Sequence, residues 1–392
     1  MPEITFSTLG CEEGNPTVLA LLSQFEQQFH CNVKVRWLSW KTGHAELNQI
    51  AFERRGADVS VIGSTWLGSY ISMQSLRAFL PNEIRALGGF DAFVPVAWAP
   101  GQDYENKQPY AIPWSLGIFM LFYRYKGLES AGIDIHQAFT SIHQLEETVA
   151  LLAQAGQPLP IILPGANTPE ILHGIAPFVW NEGGHFRSKD GLKMLFASPE
   201  AVRGMARYFK LTRHVNPKFL PSLQGNTGHL FVNGQATIGL LSSEAIYHPT
   251  LSQAEMAETW GVAPMPPQSF VGGNCLVIWQ HTKNERLSNE LVYFLTGHEC
   301  QLRQSHINRQ FPARLSALQN MDIPQISLLS ELQGGRTYHS ARLWGVVEDN
   351  LIRALSSVWH RFLAEPELDV ETLLGEELSP LARRLAATMS SY

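Results

Sequence analysis

Apolar positions recur with two periods along the first sixty residues, one typical of strands and one typical of helices. Asn15 and Pro16 supply a helix N-cap and a proline at the first helical position. The elements predicted here are strands at 4–6, 33–37 and 58–62, separated by helices at 16–29 and 47–51. Strands and helices that alternate over short links predict a parallel sheet, with ligands beyond the carboxyl ends of its strands.

An unbroken apolar and aromatic run at 118–123 predicts a strand that is buried on both faces. Before it, Pro113 fixes the backbone and Gly117 frees it, as expected of a segment that passes between two packed bodies. Between Pro113 and Gly117, Trp114 supplies an aromatic plane and Ser115 supplies a hydroxyl next to it. We interpret the stretch as a crossover between two lobes with a ligand cleft beside it. An ordinary core strand after a loop is the alternative.

The remainder of the chain continues as mixed helices and strands. The predicted helices are 142–155, 169–180, 201–211, 289–295, 343–355 and 380–387, and the predicted strands are 159–163, 236–240 and 270–279. A turn is predicted at 231–235. The proline-rich segment 260–267 predicts an extended second connection between the lobes.

Composition narrows the class of protein. A chain of 392 residues with 45% hydrophobic and 16% charged residues predicts a folded protein of two domains. The net charge is −6 and no block of Lys or Arg is present, which argues against nucleic-acid binding. The start of the chain has no basic and apolar signal pattern, so either an export signal was removed or the protein stays in the cell.

Catalytic and metal-binding motifs are missing. The chain has no GxGxxG, GxxxxGK[ST], HExxH or GxSxG motif, and its 14 histidines show no ligand spacing. The four cysteines, Cys11, Cys31, Cys275 and Cys300, form no CxxC pair, so free structural thiols are expected and disulfides stay open. We predict no metal, no cofactor and no catalytic residue.

Several segments together resemble the family 1 extracellular solute-binding proteins, the group of the maltose and maltodextrin-binding proteins of ABC importers. The segments that carry the resemblance are 56–59 (GADV), 110–113 (YAIP) with Phe122-Tyr123, 231–236 (FVNGQA), 270–274 (FVGGN) and 282–284 (TKN). Each segment is weak alone, but their order and spacing are specific and span nearly the whole chain.

The resemblance implies an α/β fold of the two-lobed periplasmic-binding-protein type (type II), in which each lobe is a sheet flanked by helices. It implies an N-terminal lobe of 1–112 plus 268–314, a C-terminal lobe of 115–265 plus 318–392, and hinge segments near 113, 266 and 315. A sugar is then held between the lobes by hinge closure and delivered to the permease subunits of an ABC importer by a monomer. The implied location is periplasmic or extracellular, with the cytoplasm as the alternative.

A carbohydrate offers flat CH faces and many hydroxyls, so its site needs aromatic planes and hydrogen-bonding side chains. The candidates are Trp40, Ser64, Thr65, Trp66, Trp114, Ser115, Ser243, Glu244, Tyr247, Gly273, Asn274 and Trp344. By resemblance, 64–66, 242–247 and Trp344 match cleft-lining positions. Maltose binders carry an acidic and a basic residue where this chain has 64–66, which puts maltose itself in doubt. The structural alternatives are core packing of Trp344, a Trp40 that only covers the first helix, and helix capping by Ser64 and Thr65.

Two other functions stay open. A ligand-sensing module of the same fold would bind without transport. A thiaminase-like transferase would use Cys11, which precedes a helix N-terminus that would stabilise its thiolate, although no partner base is evident. A sugar phosphate as ligand would need basic residues, and only Arg309 and Arg314 are suitably placed in the chain.

Overall fold

The fold is given by a computed structural model that describes most of the chain. The described residues are 1–10, 15–40, 42–103, 105–188, 191, 193–224, 227–247, 251, 256–308, 310–321, 328–338 and 344–389, with only the backbone described at 247, 256, 257, 306–308, 328–330 and 389. The strands are β1 Glu3–Leu9, β2 Asn32–Leu38, β3 Val59–Gly63, β4 Ile112–Arg124, β5 Ile161–Ile162, β6 Ile238–Ser242, β7 Trp260–Pro264, β8 Val271–Ile278 and β9 Phe311–Pro312.

The longer helices flank these strands, and short 3₁₀ segments link several of the elements. The helices are α1 Pro16–Phe29, α2 Gly43–Glu53, α3 Leu67–Ser72, α4 Pro81–Ala86, α5 Tyr125–Ser130, α6 Ile135–Ala138, α7 Ile142–Gln154, α8 Glu170–Asn181, α9 Pro199–Lys210, α10 Gly228–Val232, α11 Met256–Thr259, α12 Glu285–Leu295, α13 His298–Asn308, α14 Leu315–Gln319, α15 Leu328–Gly334, α16 Trp344–Ala364 and α17 Val370–Met389.

The chain divides into two compact units. Unit 1 comprises Met1–Gly117, Val271–Ile323 and Thr337–Gly345, and unit 2 comprises Ile118–Phe270, Pro324–Arg336 and Val346–Tyr392. The lobe boundaries expected from the resemblance stay a prediction. They differ from this division most clearly at 337–345, which were expected in the second lobe. The physical reason is local contact, because a Cβ on Gly345 would lie 3.4 Å from both His44 and Ser69 of unit 1.

The first three strands of unit 1 form the predicted parallel arrangement. β1 pairs in parallel with β2 on one side and with β3 on the other. β8 then pairs antiparallel with β3, which sets Asn274 opposite Gly63. Asn15 caps α1 as predicted, since its side-chain oxygen accepts hydrogen bonds from the N–H groups of Thr17 and Val18. The carboxyl ends of β2 and β3 therefore lie at one edge of the sheet.

β4 is the strand predicted at 118–123, and it extends further toward the N-terminus. In unit 1, its first part pairs with β9, with Ser115 opposite Pro312. β8 approaches this part so closely that a Cβ on Gly273 would collide with the Ser115 carbonyl oxygen and lie 2.9 Å from Leu116 Cα. Gly273 also has φ +145°, which L side chains rarely adopt. Glycine at 273 is therefore required by the backbone.

Unit 2 has its own sheet on the second part of β4. β6 and β7 both pair antiparallel with this part, and β5 pairs in parallel with β6. Phe122 is fully buried, with Trp260 stacked at 6.0 Å and Phe231 edge-on at 5.9 Å. The predicted burial of the apolar run is confirmed. The turn predicted at 231–235 overlaps the end of α10, which includes Phe231 and Val232, and α13 was not predicted as a helix.

The described cysteines behave as free structural thiols. Cys31, Cys275 and Cys300 are buried and unbridged, and burial raises the pKa of Cys275 to about 12 and that of Cys300 to about 11. Cys11 lies outside the described residues. Within the described helices, none is both long and apolar enough to span a membrane.

Candidate functional site

Two tryptophans meet where β2 and β3 of unit 1 end. Trp40 follows β2 and is 50% exposed, while Trp66 closes the 3₁₀ segment that follows β3 and is partly buried. Their ring centroids lie 5.7 Å apart with the planes at 60°. Gly63 lies beneath both rings, because a Cβ there would be 3.7 Å from each of them. The structure thus brings together two of the predicted aromatic residues at the predicted edge of the sheet.

His44 completes this aromatic group, and it is a residue that sequence reasoning missed. It lies in the first turn of α2, with its ring stacked on Trp66 at 4.7 Å and 19°. Its edge contacts Tyr70 at 6.5 Å and 80°. A signal was available, because a helix that begins just after Trp40 must place its first turn beside the strand end.

The N-terminus of α16 lies close to this group. A Cβ on Gly345 would be in van der Waals contact with His44 Cε1 and Ser69 Oγ, at 3.4 Å from each, so the backbone of Gly345 lies beside the histidine. Trp344, directly before it, is 3% exposed and packs against Tyr338 at a centroid distance of 4.9 Å. Trp344 is thus buried, as in the core interpretation, and its contact with a ligand stays a prediction.

Three polar side chains form a hydrogen-bonded network in unit 1, in which Ser115 and Asn274 are buried and Gln310 is partly buried. Asn274 Nδ2 donates to Ser115 Oγ at 3.2 Å and to Gln310 Oε1 at 3.0 Å, and Ser115 Oγ donates to Gln310 Oε1 at 2.6 Å. Asn274 Oδ1 is buried and accepts no hydrogen bond from the described residues. Ser64 and Gly273 line the same narrow cavity. A buried acceptor without a donor is suited to receive a hydroxyl or a water molecule.

The remaining unit 1 candidates are placed differently. Trp114 is 3% exposed, and its Nε1–H has no acceptor among the described residues. Thr65 is partly buried within the 3₁₀ segment. The capping interpretation of Ser64 and Thr65 is wrong, because the N-caps are Gly63 for the 3₁₀ segment and Trp66 for α3.

The candidates of unit 2 follow β6. Ser243 is fully buried, and its Oγ accepts a hydrogen bond from the Ile118 N–H at 3.2 Å, so its hydroxyl supports the backbone of β4. Glu244 is exposed, and its N–H donates to Ser242 Oγ at 3.5 Å. Tyr247 ends the 3₁₀ segment Ser243–Tyr247, where its backbone alone is described. Ligand contact by these three residues stays a prediction.

The candidates for other chemistry receive no support here. Among the described residues, no group of three or more His, Cys, Asp or Glu could hold a metal ion. The Arg314 guanidinium donates to the carbonyls of Thr296 and Leu87 and lies over the Phe93 ring at 4.7 Å. These contacts give the guanidinium a structural role, and its suggested role in phosphate binding gains no support from them. Arg309, like Cys11, lies outside the described residues.

Comparisons with known proteins give one consistent result. The sequence profile of a family described as "Bacterial extracellular solute-binding protein" matches residues 20–327. A comparison with curated protein sequences finds no match.

Solved structures resemble the whole chain. The maltose-bound MalE3 of T. maritima is 20% identical with a TM-score of 0.78, and the match covers 98% of this chain and 100% of that one. The sugar-binding protein MalE of Xanthomonas citri is 20% identical with a TM-score of 0.81, covering 99% and 98%. The GacH receptor of Streptomyces glaucescens GLA.O, solved unliganded and with acarbose, is 17% identical with a TM-score of 0.74, covering 97% and 98%. The predicted two-lobed α/β fold class is confirmed.

Proposed function

The chain belongs to the bacterial extracellular solute-binding protein family, and we propose that its solute is a small carbohydrate of one to several sugar units. We further propose that the protein works as a monomer in the periplasm or outside the cell and delivers the sugar to the permease subunits of an ABC importer. The family is one of binding proteins, and we propose binding, without catalysis, as the output.

The half-exposed ring of Trp40 is the observation that carries the proposal. A ligand that covers the exposed part of this indole removes apolar surface from water, which is favourable. Its neighbour Trp66 is held by the stacked ring of His44, so the pair presents aromatic surface with a defined orientation. Aromatic planes of this kind pack on the CH faces of sugar rings.

Polar groups for the sugar hydroxyls lie at the end of the adjacent strand. Ser64 follows β3, and Asn274 lies opposite Gly63, so both flank the same strand end. The Asn274 Oδ1 that lacks a donor among the described residues would accept a sugar hydroxyl or a bridging water molecule.

The similar solved structures support a carbohydrate as ligand. MalE3 is bound to maltose in its structure, and GacH is bound to acarbose. At 17–20% identity this likeness concerns the fold, so the choice among sugars is left to experiment. Hinge closure and a contribution from Ser243, Glu244 and Tyr247 remain predictions.

A panel binding assay tests the proposal. The purified protein is titrated with monosaccharides, disaccharides, maltodextrins and polyols, with amino acids and dipeptides as the competing solute classes, while tryptophan fluorescence and thermal unfolding are recorded. We expect a carbohydrate to bind with a Kd on the order of 1 μM. At about 100 times its Kd, it should raise the free energy of unfolding by roughly 2.7 kcal/mol. Binding of an amino acid or peptide, with no response to any carbohydrate, would overturn the proposal.

A further inference from the structure

Unit 2 contains a pocket whose lining includes none of the candidate ligand-binding residues discussed above. It has a volume of about 690 Å³, which is within the range of small-molecule sites. Its lining comes from the end of β4, the start of α5, the α6 region, the segment after β7, and α15. The lining residues that carry the inference are Tyr123, Tyr125, Phe139, Met265, Pro266 and Glu331.

Aromatic rings form one side of the pocket. Tyr123 stacks on Phe139 at 5.2 Å and 28°, and Tyr125 stands edge-on to Tyr123 at 5.3 Å and 88°. The Tyr123 ring needs the glycine at 261, because a Cβ there would collide with the tyrosine hydroxyl. Three aromatic rings are therefore fixed around one space, and the negative faces of such rings attract cations.

The segment after β7 forms a further part of the lining. Met265 is 1% exposed and Pro266 is buried, while Pro264 and Pro267 remain exposed at the rim. Proline fixes the backbone torsion φ, so three prolines in four residues limit the conformations open to this wall. A pocket with a restrained wall loses little conformational entropy when a ligand enters.

Glu331 brings a negative charge to this aromatic pocket. Its carboxyl is partly buried, and burial raises its pKa above the ordinary value, with no neighbouring charge contributing. No Lys, Arg or His among the described residues forms an ion pair with it. Elsewhere in unit 2, Glu146 and Glu182 both pair with Arg207, at 2.6 and 2.7 Å. The carboxylate of Glu331 therefore lacks the counter-charge that Glu146 and Glu182 have.

From this geometry we propose that the pocket binds a small organic ammonium ion, with its charge between the aromatic rings and the Glu331 carboxylate. Such a ligand satisfies both parts of the lining at once, since it supplies the missing counter-charge and contacts the ring faces. A neutral ligand of the same shape supplies no counter-charge. The inference does not depend on the proposed function, because the tryptophan pair lies in unit 1 and this pocket lies in unit 2.

Choline and its neutral isostere 3,3-dimethyl-1-butanol test the proposal on the full chain by isothermal titration calorimetry. We expect choline to bind with a Kd on the order of 1 mM, and the isostere to bind at least about tenfold more weakly. Glu331→Gln should weaken choline binding roughly tenfold. The matched control is Glu367→Gln, an exposed carboxyl of the same unit, which should leave choline binding unchanged.

Two further measurements locate the choline. Tyr125→Leu removes one ring from the lining and should weaken choline binding several-fold, and circular dichroism checks that each variant is folded. Trp40→Ala, in the other unit, should leave choline binding unchanged. The proposal is overturned if choline fails to bind at 50-fold excess over the expected Kd, if the isostere binds equally well, if Glu331→Gln has no effect, or if Trp40→Ala abolishes binding. The panel assay tests sugar binding separately, so the two proposals can fail independently.

Discussion

His44 lies flat on the ring of Trp66, with the ring centroids 4.7 Å apart and the planes at 19°. The stack covers one face of the indole, and Trp40 meets the same indole at 60°. The backbone of Gly345 lies beside the histidine ring. The orientation of Trp66 is therefore set by a residue that need not touch the ligand, which makes His44 a positioning residue for the proposed sugar site.

Replacing His44 tests this role. We expect His44→Ala to weaken carbohydrate binding about five- to tenfold, because Trp66 loses the ring that orients it. His44→Phe keeps a flat ring on the indole and should retain most of the affinity. Titration calorimetry gives the affinities, and the emission maximum of the tryptophans reports the change around Trp66. Equal losses in both variants would contradict a positioning role by stacking.

Trp40→Ala should weaken carbohydrate binding by about tenfold or more, or about 1.4 kcal/mol, because it removes the exposed aromatic plane. Its effect on the free energy of unfolding should stay below about 1 kcal/mol, since the ring is half exposed. Phe52→Ala is the matched control: this ring in α2 of the same unit is 76% exposed and should change neither quantity. If both variants bind the sugar like the original protein, Trp40 is not the platform.

Gly273→Ala should lower the free energy of unfolding by about 3 kcal/mol or more. The new Cβ would meet the Ser115 carbonyl and Leu116 Cα, and φ +145° strains any side chain. Gly375→Ala gives the contrast, because this position in α17 has open space and a helical alanine gains about 0.5 to 1 kcal/mol over glycine. Urea denaturation measures both, and a fully stable Gly273→Ala variant would show that β4 and β8 can separate at this point.

Acid should destabilise the protein through His173. The ring is stacked on Phe270 at 4.2 Å and 6° and contacts Phe119 edge-on, and desolvation by this packing lowers its pKa from 6.5 to about 3. Between these values the unfolded chain binds a proton that the folded protein does not. The stability that this difference provides is therefore complete above pH 6.5 and declines as the pH falls toward 3.

His173→Phe removes the effect while keeping a ring against Phe270. Relative to this variant, the original protein should lose about 1.4 kcal/mol of unfolding free energy for each pH unit below about 6. His143→Gln, at an exposed histidine, should behave like the original protein. Urea denaturation at several pH values between 7 and 4 decides the question. Parallel stability curves for the original protein and His173→Phe would contradict the assignment.

Local pattern was sufficient for many of the longer elements and for one edge of the site. The apolar run at 118–123 marks β4, and the alternation of strands and helices predicted the parallel pairing of β1 with β2 and β3. The rule that ligands lie beyond the carboxyl ends of strands then selected Trp40 and Trp66, which the structure places in contact. These predictions depend on the spacing of apolar residues within a segment and on the order of adjacent elements, and both can be read directly from the sequence.

The features that could not be predicted depend on contacts between residues that are far apart in the chain. Ser243 was selected as a candidate ligand contact, and the structure adds that its hydroxyl accepts the N–H of Ile118, which is 125 residues away in the chain. Gly273 was selected from the resemblance, and its requirement comes from the backbone of Ser115. Trp344 is covered by Tyr338, which no local period indicates. Folding brings together residues that are far apart in the chain. These contacts decide which hydroxyl hydrogen-bonds to the backbone and which aromatic ring is covered.

β8 lies beside β3 in the sheet, although roughly 200 residues separate the two strands in the chain. A ribosome that adds about 5 to 20 residues per second takes on the order of 10 to 40 s to make that intervening stretch. Throughout this interval the outer edge of β3 has no strand to pair with, and an open strand edge is a template for pairing with other chains. While it is still attached to the ribosome, the nascent chain therefore exposes an unfinished unit 1 in a form that a chaperone could hold, and the unit is completed only after β8 has been synthesised.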